Sequence, residues 1–230
     1  MASAGSAMST TLFLDGKTEA LAGIIQQWAG PIRRVLVVGC GTGLEAAILA
    51  KALNVEVVGI DLDSSFDTLA STMAELRRGD ATCLEFEDGV FDFVYSYHAL
   101  EHIPDFRKAL AEMKRVLSDG GSYCIGTPNR SRLVGYLGSK DATLAQKISW
   151  NLIDLKARMK GKFRNEFGAH AGFASDELRL ELERVFSRVD EITFAYYREV
   201  YKRHAGKVGF LEKSGLGKLL FPAVYFLGKK

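Results

Sequence analysis

Residues 35–43 read VLVVGCGTG, four aliphatic residues followed by glycines at 39, 41 and 43. An apolar run of strand length that stops at glycine and continues into a helical-period segment is the strand-to-helix turn of an open α/β sheet. Such a turn leaves the first N–H groups of its helix uncapped, and glycine lets a small polar ligand approach the backbone. The next apolar run, VVGID, ends in Asp61. A carboxylate there matches the two neighbouring hydroxyls of a ribose. Dinucleotide sites usually read GxGxxG, whereas Gly39, Gly41 and Gly43 make GxGxG, which tilts the reading away from NAD. A tight turn with no ligand is the plain alternative.

Working outward, apolar runs alternate with helical-period segments through the first half, the pattern of a mostly parallel sheet with helices on both faces. Strands are expected at 33–39, 55–60, 76–81, 90–97 and 121–127. Helices are expected at 17–29, 43–53, 64–75 and 105–117. Ser175-Asp176-Glu177 reads as a helix start, with the helix running to about Phe186, a strand from Arg188 to about Tyr197, and a last strand in LLFPAVYFL. At 230 residues, 47% hydrophobic and 25% charged, the chain suits one globular domain. Residues 1–10, small and polar, suit a frayed terminus rather than an export signal. The three cysteines, Cys40, Cys83 and Cys124, form no CxxC and are expected as reduced, buried thiols of a cytoplasmic protein.

Residues 129–172 are too long for an ordinary connection after strand five and are expected to form a helical insertion. Leu144, Ile148, Leu152, Leu155 and Met159 fall on one helix face. Net charge is only +2, yet residues 129–170 hold nine basic and three acidic side chains and residues 201–230 seven and one. Three uses are open: contact with an anionic membrane surface, a lid that packs its apolar stripe on the domain, or a basic cover for an anionic acceptor. The aromatic and basic interleaving of a nucleic-acid surface is absent from the sequence. Nothing in the pattern bears on oligomeric state.

VLVVGCGTG, VVGIDLD, RRGDA, GVFDFVYSYHALEHIPD and EMKRVLSDGGSYCIGTPN together resemble, in order and spacing, class I S-adenosylmethionine-dependent methyltransferases, most of all the branch containing the ubiquinone-pathway O-methyltransferases. The resemblance covers about residues 30–130. It implies a Rossmann-like, seven-stranded, mostly parallel α/β sheet whose last strand is antiparallel. It also implies S-adenosyl-L-methionine as cofactor, S-adenosyl-L-homocysteine as product, and a small-molecule or lipid-like acceptor methylated at oxygen. Carried over by position, Gly39, Cys40, Gly41 and Gly43 lie by the methionine part, Asp61 binds the ribose, Leu62 packs on adenine, and Asp80 and Ala81 bind the adenine edge. Tyr97 and His98 border the methyl group. Alternatives are an N-methyltransferase of a natural product or sugar nucleotide, and a non-catalytic partner that keeps the fold.

Methyl transfer to a hydroxyl benefits from a base, and histidine titrates near neutrality. His98 and His102 are the candidates; the alternative for His102 is that with Glu101 it packs the start of the following helix. His170 could close over the site from the insertion, while His204 has no chemical context. Asn129 in GTPNRSRL lacks an adjoining carboxylate pair, so no metal is expected.

Overall fold

A computed structural model describes residues 16–136, 142–167 and 171–230. The terminus at residues 1–10 and His170 lie outside the described residues. In chain order the elements are α1 (Gly16–Trp28), β1 (Arg34–Val38), α2 (Leu44–Leu53), β2 (Glu56–Asp61), β3 (Glu75–Arg78), β4 (Phe91–Tyr97), α3 (Phe106–Val116), β5 (Leu117–Pro128) and α4 (Leu144–Met159). They continue with α5 (Ser175–Glu183), β6 (Arg188–Glu191), α6 (Thr193–Val200), α7 (Ala205–Lys213), α8 (Gly217–Leu220) and β7 (Ala223–Lys229). The strands form one seven-stranded sheet in the order β3-β2-β1-β4-β5-β7-β6, with β7 antiparallel to both neighbours and the other pairings parallel. This is the expected Rossmann-like arrangement.

β1 is central because every side chain from Val35 to Val38 is buried. Period-2 alternation divides them between two cores. Val35 and Val37 join Leu21 and Ile25 of α1, Tyr95 of β4 and Tyr196 of α6, whereas Leu36 and Val38 join Leu110 and Met113 of α3 and Leu178 of α5. Asp105 starts α3 by accepting the Lys108 N–H at 3.2 Å.

Four expectations are corrected. Residues 64–75 carry bends and a 3-10 turn at Ala70–Thr72, not an α-helix. Side chains there compete for the backbone: Asp67 accepts the Leu69 and Ala70 N–H groups, and the Thr72 hydroxyl donates to the Leu69 carbonyl. β6 ends at Glu191 and residues 193–200 are helical, since Ile192 and Thr193 share a buried face with Tyr196 and Tyr197 at spacings of four. α5 ends at Glu183 rather than near Phe186, and its cap is Ala174, whose N–H donates to Glu177; the Ser175 hydroxyl donates to Glu191. Cys40 and Cys124 are buried but Cys83 is exposed.

The insertion helix α4 forms as expected, started by a capping box between Thr143 and Gln146. Its packing is the reverse of an apolar lid. Asn151 exchanges hydrogen bonds with the Gly135 backbone, Asp154 pairs with Arg132 at 3.4 Å, and Arg158 donates to the Arg130 and Arg132 carbonyls. Leu152, Leu155 and Met159 each follow one of these anchors by one position, about 100° round the helix. The stripe from Leu144 to Met159 is 53–82% exposed.

Leu110→Ala empties a fully buried position between α3 and the sheet, and lowers the unfolding free energy in a urea titration by about 2–5 kcal/mol.

Candidate active site

The end of β2 holds the glycine turn that leaves β1. Gly39 and Cys40 donate their N–H groups to the Ile60 carbonyl at 2.9 and 3.0 Å, Gly41 donates to Asp61 Oδ2 at 2.8 Å, and Gly43 donates to the Cys40 carbonyl at 2.8 Å. These four N–H groups are therefore used internally. The turn is a shaped notch in the backbone, and the helix that follows, Leu44–Leu53, starts at Gly43 with no side-chain cap, as the glycines suggested.

Each glycine has its own steric reason. A Cβ on Gly39 would lie 2.2 Å from the Ala99 Cβ, and one on Gly43 would lie 2.2 Å from Leu76 Cδ1. Gly41 has open space before it and a φ of +53°, in the left-handed region. So Gly39 and Gly43 let the chain pack on itself, and Gly41 keeps the notch open.

The notch opens into a cleft of about 580 Å³ lined by Gly39, Gly41, Asp61, Leu62, Asp80, Ala81, His98 and His102, among others. Of the residues expected at the site, these eight are brought together. Gly43, Cys40 and Tyr97 are not in the lining. Cys40 packs in the core, where burial pushes its thiol up to about 12. Tyr97 is sandwiched against Tyr225, with ring centroids 5.5 Å apart, and against His98 at 4.0 Å. A hollow of about 660 Å³ at the opposite end of β1 and β2, beside Ile32 and Asn54, has no glycine turn and no histidine.

One wall of the cleft has the features of a nucleoside site. Asp61 stands at the end of β2, Oδ2 on Gly41 and Oδ1 on the Asp63 N–H. Leu62 beside it is 64% exposed and offers an aliphatic surface. Asp80 Oδ1 accepts the Thr82 N–H and hydroxyl, both at 2.8 Å, which hold its carboxyl below the usual range. Ala81 lies next to it in the lining.

The opposite wall begins where β4 ends. His98 has a φ of +53°, uncommon for a side chain with a Cβ, and its N–H donates to the Gly126 carbonyl at 3.0 Å. A 3-10 turn over Leu100–His102 then brings both half-exposed histidines to one carboxylate: His98 Nδ1 and His102 Nε2 each lie 3.9 Å from Glu101 Oε1. The Glu101 side chain is fully buried, neither oxygen has a hydrogen-bond partner among the described residues, and desolvation pushes its carboxyl up to about 7. The Arg132 charge opposes that shift. Glu101 was missed by sequence reasoning as a site group; its place between two histidines in HALEH was the available signal. Asn129 is structural, its amide donating to the Lys218 and Phe221 carbonyls. His204 lies in the exposed turn before α7, outside the cleft lining. Among the described residues no group of three His, Cys, Asp or Glu side chains is placed to hold a metal ion.

Residues 36–125 match the protein family described as a methyltransferase domain. Tocopherol O-methyltransferase of Arabidopsis thaliana is 35% identical over 105 residues, covering 42% of this chain and 30% of that protein. Demethylmenaquinone methyltransferase of Staphylococcus aureus is 40% identical over 96 residues, covering 38% of this chain and 40% of that protein. The match thus spans well under half the length of these curated relatives. Among solved structures, an S-adenosylmethionine-dependent methyltransferase from Mesorhizobium loti superposes with a TM-score of 0.59 at 15% identity, over 95% of this chain and 100% of that one. Phosphoethanolamine N-methyltransferase 2 of Haemonchus contortus, in complex with S-adenosyl-L-methionine, superposes with a TM-score of 0.56 at 18% identity, over 91% of this chain and 52% of that one. At these identities the structural likeness is one of fold.

The burial of Glu101 sets a pH dependence. Its folded value of about 7 lies above the ordinary carboxylate value, so the native state holds the proton more tightly. The stability this contributes is complete below about pH 4.5 and is lost as pH rises to about 7, by roughly 3 kcal/mol. Glu101→Gln removes that loss, so urea unfolding at pH 5 and pH 8 should differ less for the variant than for the parent. Equal differences in both proteins would overturn the assignment.

Proposed function

We propose that this protein, a chain carrying a methyltransferase domain across residues 36–125, uses S-adenosyl-L-methionine to methylate a small-molecule or lipid-like acceptor at oxygen. The observation that carries the reading is the cleft itself: Gly41, Asp61, Leu62, Asp80 and Ala81 converge on one volume at the carboxyl ends of the parallel strands. The residues fit the cofactor. Gly41 leaves room beside the notch, and Leu62 offers an open aliphatic face for a purine. Each carboxylate of Asp61 and Asp80 keeps acceptor capacity beyond its internal bonds, for ribose hydroxyls and an adenine amino group respectively.

When bound, S-adenosyl-L-methionine would supply the methyl group from its sulfonium and leave as S-adenosyl-L-homocysteine, and the acceptor hydroxyl that takes the methyl would give up its proton. His98 and His102 face the cleft and either can take that proton. Glu101 works behind them. An ionised Glu101, 3.9 Å from both rings, favours the imidazolium that forms. Positioning supplies much of the rest, since the donor carbon and the acceptor oxygen must meet in line. His98, held in a strained conformation by the Gly126 hydrogen bond, gives one fixed wall for that alignment.

Support for the acceptor class comes from relatives named for tocopherol and for demethylmenaquinone, the first also named for transfer to oxygen. In this reading residues 129–172 are an acceptor-side insertion within one methyltransferase domain, entered directly from the end of β5 beside β4.

Isothermal titration with S-adenosyl-L-homocysteine and with NAD tests the proposal: the first binds and the second does not. Asp61→Ala weakens the nucleoside ligand by about 1–3 kcal/mol, the loss of a charged acceptor. Binding of NAD alone, or an unchanged affinity in the variant, would refute the assignment.

A further inference from the structure

α4 is attached to the rest of the protein through its polar line. Asn151, Asp154 and Arg158 spend their hydrogen bonds on the Arg130–Tyr136 loop, so the exposure of the apolar stripe follows from how the helix is built in. The loop extends the apolar surface. Leu133 is exposed and donates its N–H to the Leu219 carbonyl at 2.8 Å, which joins it to α8, where Leu216, Leu219 and Leu220 are also exposed. Exposed aliphatic side chains are thus concentrated on α4, on the loop it is anchored to, and on the short helix joined to that loop.

The charge around this surface identifies what it meets. Lys156 on α4, Lys160 at its C-cap, Lys162 and Arg164 just beyond it, and Lys207 and Lys213 on α7 are exposed, and among the described residues none forms an ion pair. Several cations elsewhere are paired, Arg107 with Glu181, Arg115 with Glu112 and Asp88, and Arg179 with Glu191. Unmatched lysines flanking protruding aliphatic groups complement a surface with anionic headgroups over an apolar interior.

We infer that the exposed stripe of α4, with Leu133 and α8, lies on the surface of an anionic lipid bilayer. The contact is peripheral. No helix among the described residues is long and apolar enough to cross a membrane. The surface follows in sequence from the end of β5, the neighbour of β4 at whose end His98 stands. Binding itself does not depend on the methyltransferase reading, and its test needs no cofactor.

The full-length protein is floated with vesicles of phosphatidylcholine alone and with added phosphatidylglycerol, at low and high salt. The expected result is binding to the anionic vesicles that falls with salt. Changing Leu152 and Leu155 to Ser, or Lys156 and Lys160 to Glu, weakens it by about tenfold or more, with the thermal melting temperature of each variant unchanged because these positions are exposed. The proposal is overturned if anionic vesicles are not bound at low salt, or if both variants bind as the parent does. It is equally overturned if light scattering finds a dimer that the Leu152/Leu155 variant converts to monomer, for then a second copy covers the stripe.

Discussion

The site rests on the end of β2 gathering the backbone that leaves β1. One carbonyl, Ile60, receives two successive N–H groups, and the next residue's carboxylate receives a third. This works only in the parallel register that sets Val38 beside Ile60, which the two-sided burial of both strands enforces. Once the turn is fixed, Gly39 becomes the point where Ala99 packs, and Ala99 lies directly before the 3-10 turn that carries Glu101 and His102. A single local constraint therefore aligns both walls of the cleft, the one that would face a nucleoside and the one that holds the titratable groups.

The sequence was most readable where one rule governed a segment. VLVV could only be a strand buried on both faces, and the next apolar run placed Asp61 at its end, while the methyltransferase resemblance supplied Asp80 and His98. It was least readable where side chains compete with the backbone. The stretch from Asp63 to Thr72 has the length of a helix, but its Asp, Ser and Thr side chains bond locally and break it into bends. Residues 192–197 failed for a different reason: β-branched and aromatic residues argued for a strand, while the four-residue spacing of Ile192 with Tyr196 and Thr193 with Tyr197 already favoured helix. Glu101 was hidden because burial of a carboxylate depends on what the 3-10 turn folds over it, which no spacing encodes.

Of the uses left open for the insertion helix, an apolar stripe packed on the domain is the one its packing does not follow. Periodicity establishes that Leu144, Ile148, Leu152, Leu155 and Met159 share a face; it does not say which neighbour competes for the helix. Here the competitor is a loop rich in unsatisfied backbone groups at Arg130, Arg132 and Gly135, and Asn151 and Arg158 satisfy them. Backbone polar groups near the core take priority for a partner, so the polar line turned inward.

Arg132 joins these two regions. Its guanidinium is buried, it pairs with Asp154 on α4, and its charge is the one that favours ionised Glu101. Protonation at Glu101 and the seating of α4 therefore share a residue, and thermodynamic linkage makes any coupling between them reciprocal. The same buried cation thus holds the surface helix to its loop and offsets part of the burial that disfavours a charged Glu101.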